Sequence, residues 1–466
     1  MYFKFTQKLV IIGFGSIAQS VLPLIFRHIQ IEPQQITIIT VNNQGLNVAQ
    51  EYGINFQLET LTAQNYQAVL SPLLSQGDFV LNLSVSVSSL DLIKLCRQQG
   101  ALYLDTCIEP WEGGYTDAEL DPSLRSNYAL RERVMEIKHH NSGGPTAVIT
   151  HGANPGLVSY FLKAALLNIA KDNGEVVSEP LSQSGWAKLS EQLHIKAIHI
   201  AEYDSQTSTI PKSSDEFVNT WSVDGFISEG LQPAELGWGT HERHWPADGH
   251  QHTFGSKSAI YLSCPGAAVR VRTWAPISGS FHGFLITHGE TISIADYYTI
   301  QENGKVHYRP TVHYAYHPCQ DAVLSINELA GHEWQPQKSK RLLMQEITDG
   351  ADELGVLLMG NTKGAYWYGS ILSITEARKL APHNNATSLQ VSASVLAGML
   401  WALEHPDEGL VEPEDIDHTF ILNIARPYLG EVAGYYTDWT PINDREKLFS
   451  EKLDRTDPWQ FINIRV

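Results

Sequence analysis

Cysteine is scarce in this chain, with four among 466 residues. Cys96, Cys107, Cys264 and Cys319 are scattered, and no CxxC pair occurs. That excludes a disulfide scaffold and points to a reduced, cytoplasmic protein. No apolar run reaches the roughly 18 residues of a membrane span, so none is expected. Nor does the start leave room for a signal peptide, because Met1-Tyr2-Phe3-Lys4-Phe5 passes at once into a strand pattern. Positive charge is also short. Lys and Arg number 32 against 51 Asp and Glu, a net charge of −19. Such a surface repels a phosphate backbone and excludes nucleic acid as a partner, while local field focusing favours small cations. Repeats and low-complexity tracts are absent as well.

What is present reads as a folded enzyme. Hydrophobic residues make up 43% and charged residues 18%, which excludes disorder. The length calls for at least two cores. Leu9-Val10-Ile11-Ile12 stops at Gly13-Phe14-Gly15-Ser16-Ile17-Ala18, and Ala18, Val21, Leu22 and Ile25 then keep helical spacing. Strand, glycine turn and amphipathic helix form the context of a dinucleotide fingerprint. Gly13 permits the tight turn, Gly15 the approach of a pyrophosphate, and Ala18 the helix–strand contact. Ser16 and Ile17 open the helix whose N–H groups and dipole hold the phosphates.

Further strands are expected at Ile36–Ile39, Phe79–Leu81, Ala101–Leu104 and Thr146–Ile149, with helices between, as in a doubly wound parallel sheet. Asn82 and Ser84 end one of them and are expected beside the nicotinamide ribose, with Thr106 at the end of the next. The second strand ends Thr40-Val41-Asn42-Asn43, where an acid normally takes the ribose hydroxyls and an arginine a 2′-phosphate. Neither stands there. Thr40 or Asn42 remains to serve the ribose, which favours NAD over NADP.

Asn154 is expected as a helix N-cap with Pro155 at the first helical position, Val158, Phe161, Leu162, Ala165 and Ile169 mark the helix that follows, and from about residue 190 to 375 the pattern changes. Ala268–Trp274, Thr291–Ala295, Val356–Met359 and Ala365–Tyr368 predict a mixed or antiparallel sheet. Val391, Val395, Met399 and Ala402 mark a helix returning to the first domain. The acidic stretch from Glu404 to Asp417 is expected as a solvated face. The fold class is thus α/β, an N-terminal Rossmann sheet with a second mixed α+β substrate domain. Residues 1–150 form the NAD-binding domain and 151–385 the substrate and dimerisation domain. Residues 386–466 return to the first, and a homodimer is the expected assembly.

Several segments are specific. They include IGFGSIAQSVLPLI, NLSVSVSSLD, ALYLDTCIEPW, GANPGLVS, HIAEYD, NTWSVDGFISEGLQPAELGWGT, LITHGETISIAD, YRPTVHYAYHPC and DELGVLL, in order along nearly the whole chain. With these the chain resembles the bacterial homospermidine synthases of the saccharopine dehydrogenase-like group. The resemblance implies NAD-dependent aminobutyl transfer between two putrescines through imines, with ammonia lost and NAD regenerated; spermidine is a further candidate donor. It also implies that Glu109, Glu202 and Glu229 bind cationic amines and move protons, and that Asn154, His288 and Asp352 stand near the substrate. Trp221 offers a face for a cationic amine or iminium. The chain departs from the family pattern at Ser86 and Thr40, where acids are expected.

Two other readings stay open. An amino-acid reductase of the same group, of saccharopine or carboxynorspermidine type, needs a pocket arginine for the substrate carboxylate, for which Arg270 and Arg272 are candidates. A non-enzymatic NAD redox sensor needs no carboxylates near the nicotinamide. His313, His317 and Cys319, and His241, His244, His250 and His252, lack the spacing of a zinc site, so no metal is expected.

Overall fold

The computed structural model describes residues 3–117, 119–140, 143–175 and 177–466. The apolar runs of the N-terminal third assemble into one sheet of seven strands, all parallel. In spatial order these are Glu408–Val411, Gly144–Val148, Leu102–Asp105, Phe79–Asn82, Leu9–Ile12, Ile36–Thr40 and Asn55–Leu58. Helices cover both faces, so the central strands carry unbroken apolar sequence, and Leu9–Ile12 is buried at every position. The strand order reverses at Leu9–Ile12, which lies between Ile36–Thr40 and Phe79–Asn82. A crevice beyond the carboxyl ends of strands at such a switch point is where open α/β sheets bind ligands.

The second sheet has ten strands and is mixed, which completes the expected fold class. Ala197–Asp204 sits near its middle, parallel to Thr311–His317 and antiparallel to Ala351–Asn361. Glu202 stands opposite Tyr316 and Leu354, and Asp204 opposite Asp352. The period of two therefore puts Glu202, Asp204, Tyr314, Tyr316 and Asp352 on one face.

Four expectations are corrected. Thr291–Ala295 is not a strand but part of a helix, Glu290–Tyr297. Its residues from Glu290 to Ala295 are all buried, so no polar face distinguishes one period from the other. Asn154 caps no helix; the helix is Leu157–Asp172, with Gly156 at its N-cap. The acidic stretch is only partly solvated. Arg131 grips Glu412 through Nε at 2.6 Å and Nη2 at 2.8 Å, and Ser159 and Ser293 donate to buried Glu414 at 2.7 and 3.0 Å. Partners from distant segments turn a run of charge inward. Finally, residues 386–466 serve both sheets. Ala386–Glu404 packs on Ser16–His28 and Glu408–Val411 closes the parallel sheet, but Glu431–Thr437 pairs with Gly364–Ser373 in the second. The helix Ala386–Glu404 is long and apolar enough to cross a bilayer, yet 89% of that window is buried inside the protein. It is a core helix joining the two sheets.

Candidate active site

The crevice at the switch point is a groove of about 280 Å³. Gly13, Gly15, Ser16, Ile17, Thr40, Asn42 and Ser84 line it. Gly13 has φ +82°, and a Cβ there would lie 2.7 Å from Ser84 Cα, so backbone conformation and packing both demand glycine. Gly15 differs. Its φ is −78°, and a Cβ would meet nothing within 4 Å. Its missing side chain therefore keeps the groove open and serves no packing contact. No side chain caps the helix Ser16–His28, so its first N–H groups face the groove unclaimed. Open space against uncapped amides and a positive dipole end is what a pyrophosphate requires, so these residues fit a dinucleotide. Asn82 is set back from the wall. Its Oδ1 accepts from Ser84 Oγ at 2.6 Å, so it positions Ser84.

A smaller cavity of about 130 Å³ continues from the groove, sharing Ile17, Leu83, Ser84, Val85 and Ser222 with it. Thr106 lines this cavity and not the groove. Glu109, Asn154, Glu202, Trp221, Glu229 and His288 line it too. These residues come from five separate stretches of sequence. Glu202 projects from the second sheet and is 2% exposed. Its Oε2 accepts from Tyr314 Oη at 2.5 Å and from Asn154 Nδ2 at 2.9 Å. The Asn154 amide thus orients a carboxylate where a cap was expected. Burial raises the Glu202 carboxyl to about 7, against the pull of the Tyr314 hydrogen bond. Glu109 is raised to about 8, by burial first, although the Ser86 N–H donates to it at 3.1 Å.

His288 lies between two carboxylates, with Nε2 2.9 Å from Glu229 and Nδ1 3.3 Å from Glu290. Burial opposes its charge, but the two carboxylates outweigh burial and hold the imidazole protonated well above its ordinary range. Trp221 precedes the helix Val223–Leu231, whose N-cap is Ser222, and its Nε1 donates to Tyr316 Oη at 3.1 Å. That helix also carries Glu229, so one short element places both residues.

Asp352 does not reach the cavity wall. It is fully buried, and Thr387, which does line the cavity, donates to its Oδ2. Its other oxygen has no hydrogen-bond partner, and burial followed by repulsion from Glu202 and Asp204 raises it well above the carboxylate range. Tyr314, Tyr316, Glu290 and Thr387 escaped the sequence reading. A signal existed for the tyrosines, because Tyr314 and Tyr316 alternate within an apolar strand and so share a face. No arginine lines the cavity among the described residues. Arg270 covers the Phe284 ring at 3.2 Å, and Arg272 donates to the Arg465 carbonyl at 2.9 Å.

Residues 9–148 match the saccharopine dehydrogenase NADP binding domain, and residues 152–438 the saccharopine dehydrogenase C-terminal domain. The chain is similar to the homospermidine synthase of Mesorhizobium japonicum, at 54% identity over 100% of this chain and 98% of that one. Similarity to the homospermidine synthase of Blastochloris viridis is 51%, over the same shares. Among solved structures it is similar to the homospermidine synthase of Legionella pneumophila in complex with NAD. That match has a TM-score of 0.94 and 55% identity, covering 100% of this chain and 99% of the other. The chain therefore belongs to the saccharopine dehydrogenase family and, within it, to the homospermidine synthases.

Proposed function

We propose that this protein joins two putrescines into homospermidine and ammonia, using NAD that is reduced and reoxidised in each cycle. The observation that carries this reading is a cavity opening from the dinucleotide groove with three carboxylates, one tryptophan and no arginine among its described lining residues. An amino-acid substrate would leave its own carboxylate facing Glu109, Glu202 and Glu229 with no arginine to take it, and His288 is already engaged by Glu229 and Glu290. A sensor would have no use for these carboxylates.

Gly13, Gly15 and the uncapped start of the helix Ser16–His28 would hold NAD in the groove, where it would supply a hydride acceptor for the amine-bearing carbon and, once reduced, a hydride donor for the second imine. The residues of this chain bind and move protons. Putrescine arrives as a dication whose amines have an ordinary pKa of about 10.4. Glu109 and Glu202 are poised near neutrality, so each exchanges protons with an amine and does not simply stand as a fixed anion. Glu202, oriented by Tyr314 and Asn154, takes the proton that frees the reacting amine for oxidation to an imine. The second putrescine adds its neutral amine to that carbon. Glu202 returns its proton to the departing nitrogen and takes one from the newly bonded nitrogen, so that ammonia leaves and an iminium remains to be reduced. Glu229, held by His288, receives the distal ammonium, and the Trp221 face attracts the iminium.

Incubation of the protein with putrescine and a small amount of NAD⁺ tests this directly. Homospermidine and ammonia should form over many turnovers per NAD, with no net NADH. One NADH released per product formed would instead mean an ordinary dehydrogenase.

Trp221 supplies a second prediction. Cation–π attraction is worth about 0.5–2 kcal/mol, and about 1.4 kcal/mol is tenfold in rate. Trp221→Ala should lower kcat/KM for putrescine up to roughly thirtyfold, with Trp221→Phe losing less. The melting temperature should barely move, because Trp221 is only half-buried. A collapse of the melting temperature would make Trp221 a core residue; unchanged rate and fold would remove it from the site.

A further inference from the structure

The second strand of the parallel sheet, Ile36–Thr40, ends without the acid that ordinarily takes the adenosine ribose. The neighbouring strand supplies one. Asn55–Leu58 runs parallel to Ile36–Thr40, with Leu58 opposite Thr40. The next residue, Glu59, donates its N–H to the Thr40 carbonyl at 3.0 Å, which places it at the level where the second strand leaves the sheet. Its side chain is exposed and lines the groove with Thr40, Val41, Asn42 and Gln44. Asn65 Nδ2 donates to Oε1 at 3.3 Å and steadies the carboxylate from behind. Asn42 turns its Oδ1 to the Gln44 N–H at 2.9 Å, which leaves its amide N–H groups as donors toward the groove. Lys340 is the one cation among the described residues lining this groove, and Asp224 pairs with its ammonium.

We propose that Glu59 replaces the missing strand-end acid, accepting from the adenosine ribose hydroxyls and rejecting a 2′-phosphate. It rests on the reading of the groove as a dinucleotide site. A carboxylate is a good acceptor for two vicinal hydroxyls, and a hydrogen bond to a charged group is stronger than a neutral one. The same carboxylate against a 2′-phosphate is a like-charge contact, and no groove-lining cation stands ready to offset it. Glu59 thereby makes this chain select NAD over NADP. Asn55–Leu58 is a polar edge strand that propensity does not reveal, which is why an acid at its end is invisible from the sequence of the second strand.

Titration calorimetry of the full chain with NAD⁺ and with NADP⁺, without substrate, tests this. The unaltered protein should prefer NAD⁺ by about a hundredfold. Glu59→Gln should weaken NAD⁺ binding about tenfold and narrow the preference by a similar factor, and Glu59→Lys should narrow it further. Both variants should keep the melting temperature, since the side chain is exposed. Unaltered affinities for both nucleotides in both variants would overturn the role of Glu59 while leaving the groove as the cofactor site. Equal affinity of the unaltered protein for the two nucleotides would also overturn it. Binding of neither nucleotide by the unaltered protein would overturn the groove assignment and this proposal together.

Discussion

Glu202→Gln should lower kcat by about a hundredfold to ten-thousandfold, the range contributed by a positioned general acid or base. The change removes a proton acceptor with little change of shape. Tyr314 Oη and Asn154 Nδ2 would still find an amide oxygen, so cofactor binding and secondary structure should persist. The pH profile separates this role from a structural one. Burial raises the Glu202 carboxyl from 4.5 to about 7, so its basic form grows as pH rises through about 7. The rate of the unaltered protein should climb through that window, and the climb attributable to this group should vanish in Glu202→Gln. Stability should move the other way. The folded chain holds this proton more tightly than the unfolded chain, so its stabilising contribution is full below about 4.5 and is lost as pH rises through about 7. Glu202→Gln should therefore melt no lower than the unaltered protein above pH 7. A variant that keeps both the rate and the pH climb would remove Glu202 from the chemistry.

The other large effect is expected at Gly15. Gly15→Val should reduce NAD affinity by about a hundredfold or more, because a side chain would fill the space of a pyrophosphate held by several charge-assisted hydrogen bonds. The fold should survive. Position 15 has an ordinary φ of −78°, and a Cβ meets no protein atom within 4 Å. Gly13→Ala is the contrasting variant. Its φ of +82° and a 2.7 Å approach to Ser84 Cα make that substitution strained even without cofactor, so its melting temperature should fall. Calorimetric titration with NAD⁺ alongside thermal melts distinguishes the two glycines. Unaltered NAD affinity in Gly15→Val would show that the pyrophosphate does not approach there.

Local order made much of the first domain legible. Leu9–Ile12, the glycine turn and the helix face of Ala18, Val21, Leu22 and Ile25 are contiguous, and each follows its own period. The second domain was harder to read. Thr291–Ala295 alternates over only five residues in a region buried on every side, so a helix and a strand look alike there. At Asn154 the following Pro155 suggests a helix cap. A side chain that satisfies a carboxylate 48 positions away leaves no local trace. Asp352 sits in a motif that suggested the site, yet the register with Asp204 sets it behind the cavity wall.

Resemblance of its motifs implied the carboxylates and tryptophan suited to a diamine, while the sequence by itself determined the nucleotide fingerprint, the α/β class and the acidic balance. These are properties of residue type and short-range spacing, and they survive without a partner in space. Only the tertiary structure decided which residues meet. Pairing of Ala197–Asp204 with Thr311–His317 put Tyr314 against Glu202. Ion pairs to Glu229 on Val223–Leu231 and to Glu290 at the start of Glu290–Tyr297 set His288 between two carboxylates. Chain return through Ala386–Glu404 brought Thr387 to Asp352. Strand Asn55–Leu58 carried Glu59 to the groove. The protonation states follow from the same encounters, because burial and the nearest charges set a pKa and neither is a property of a residue read alone.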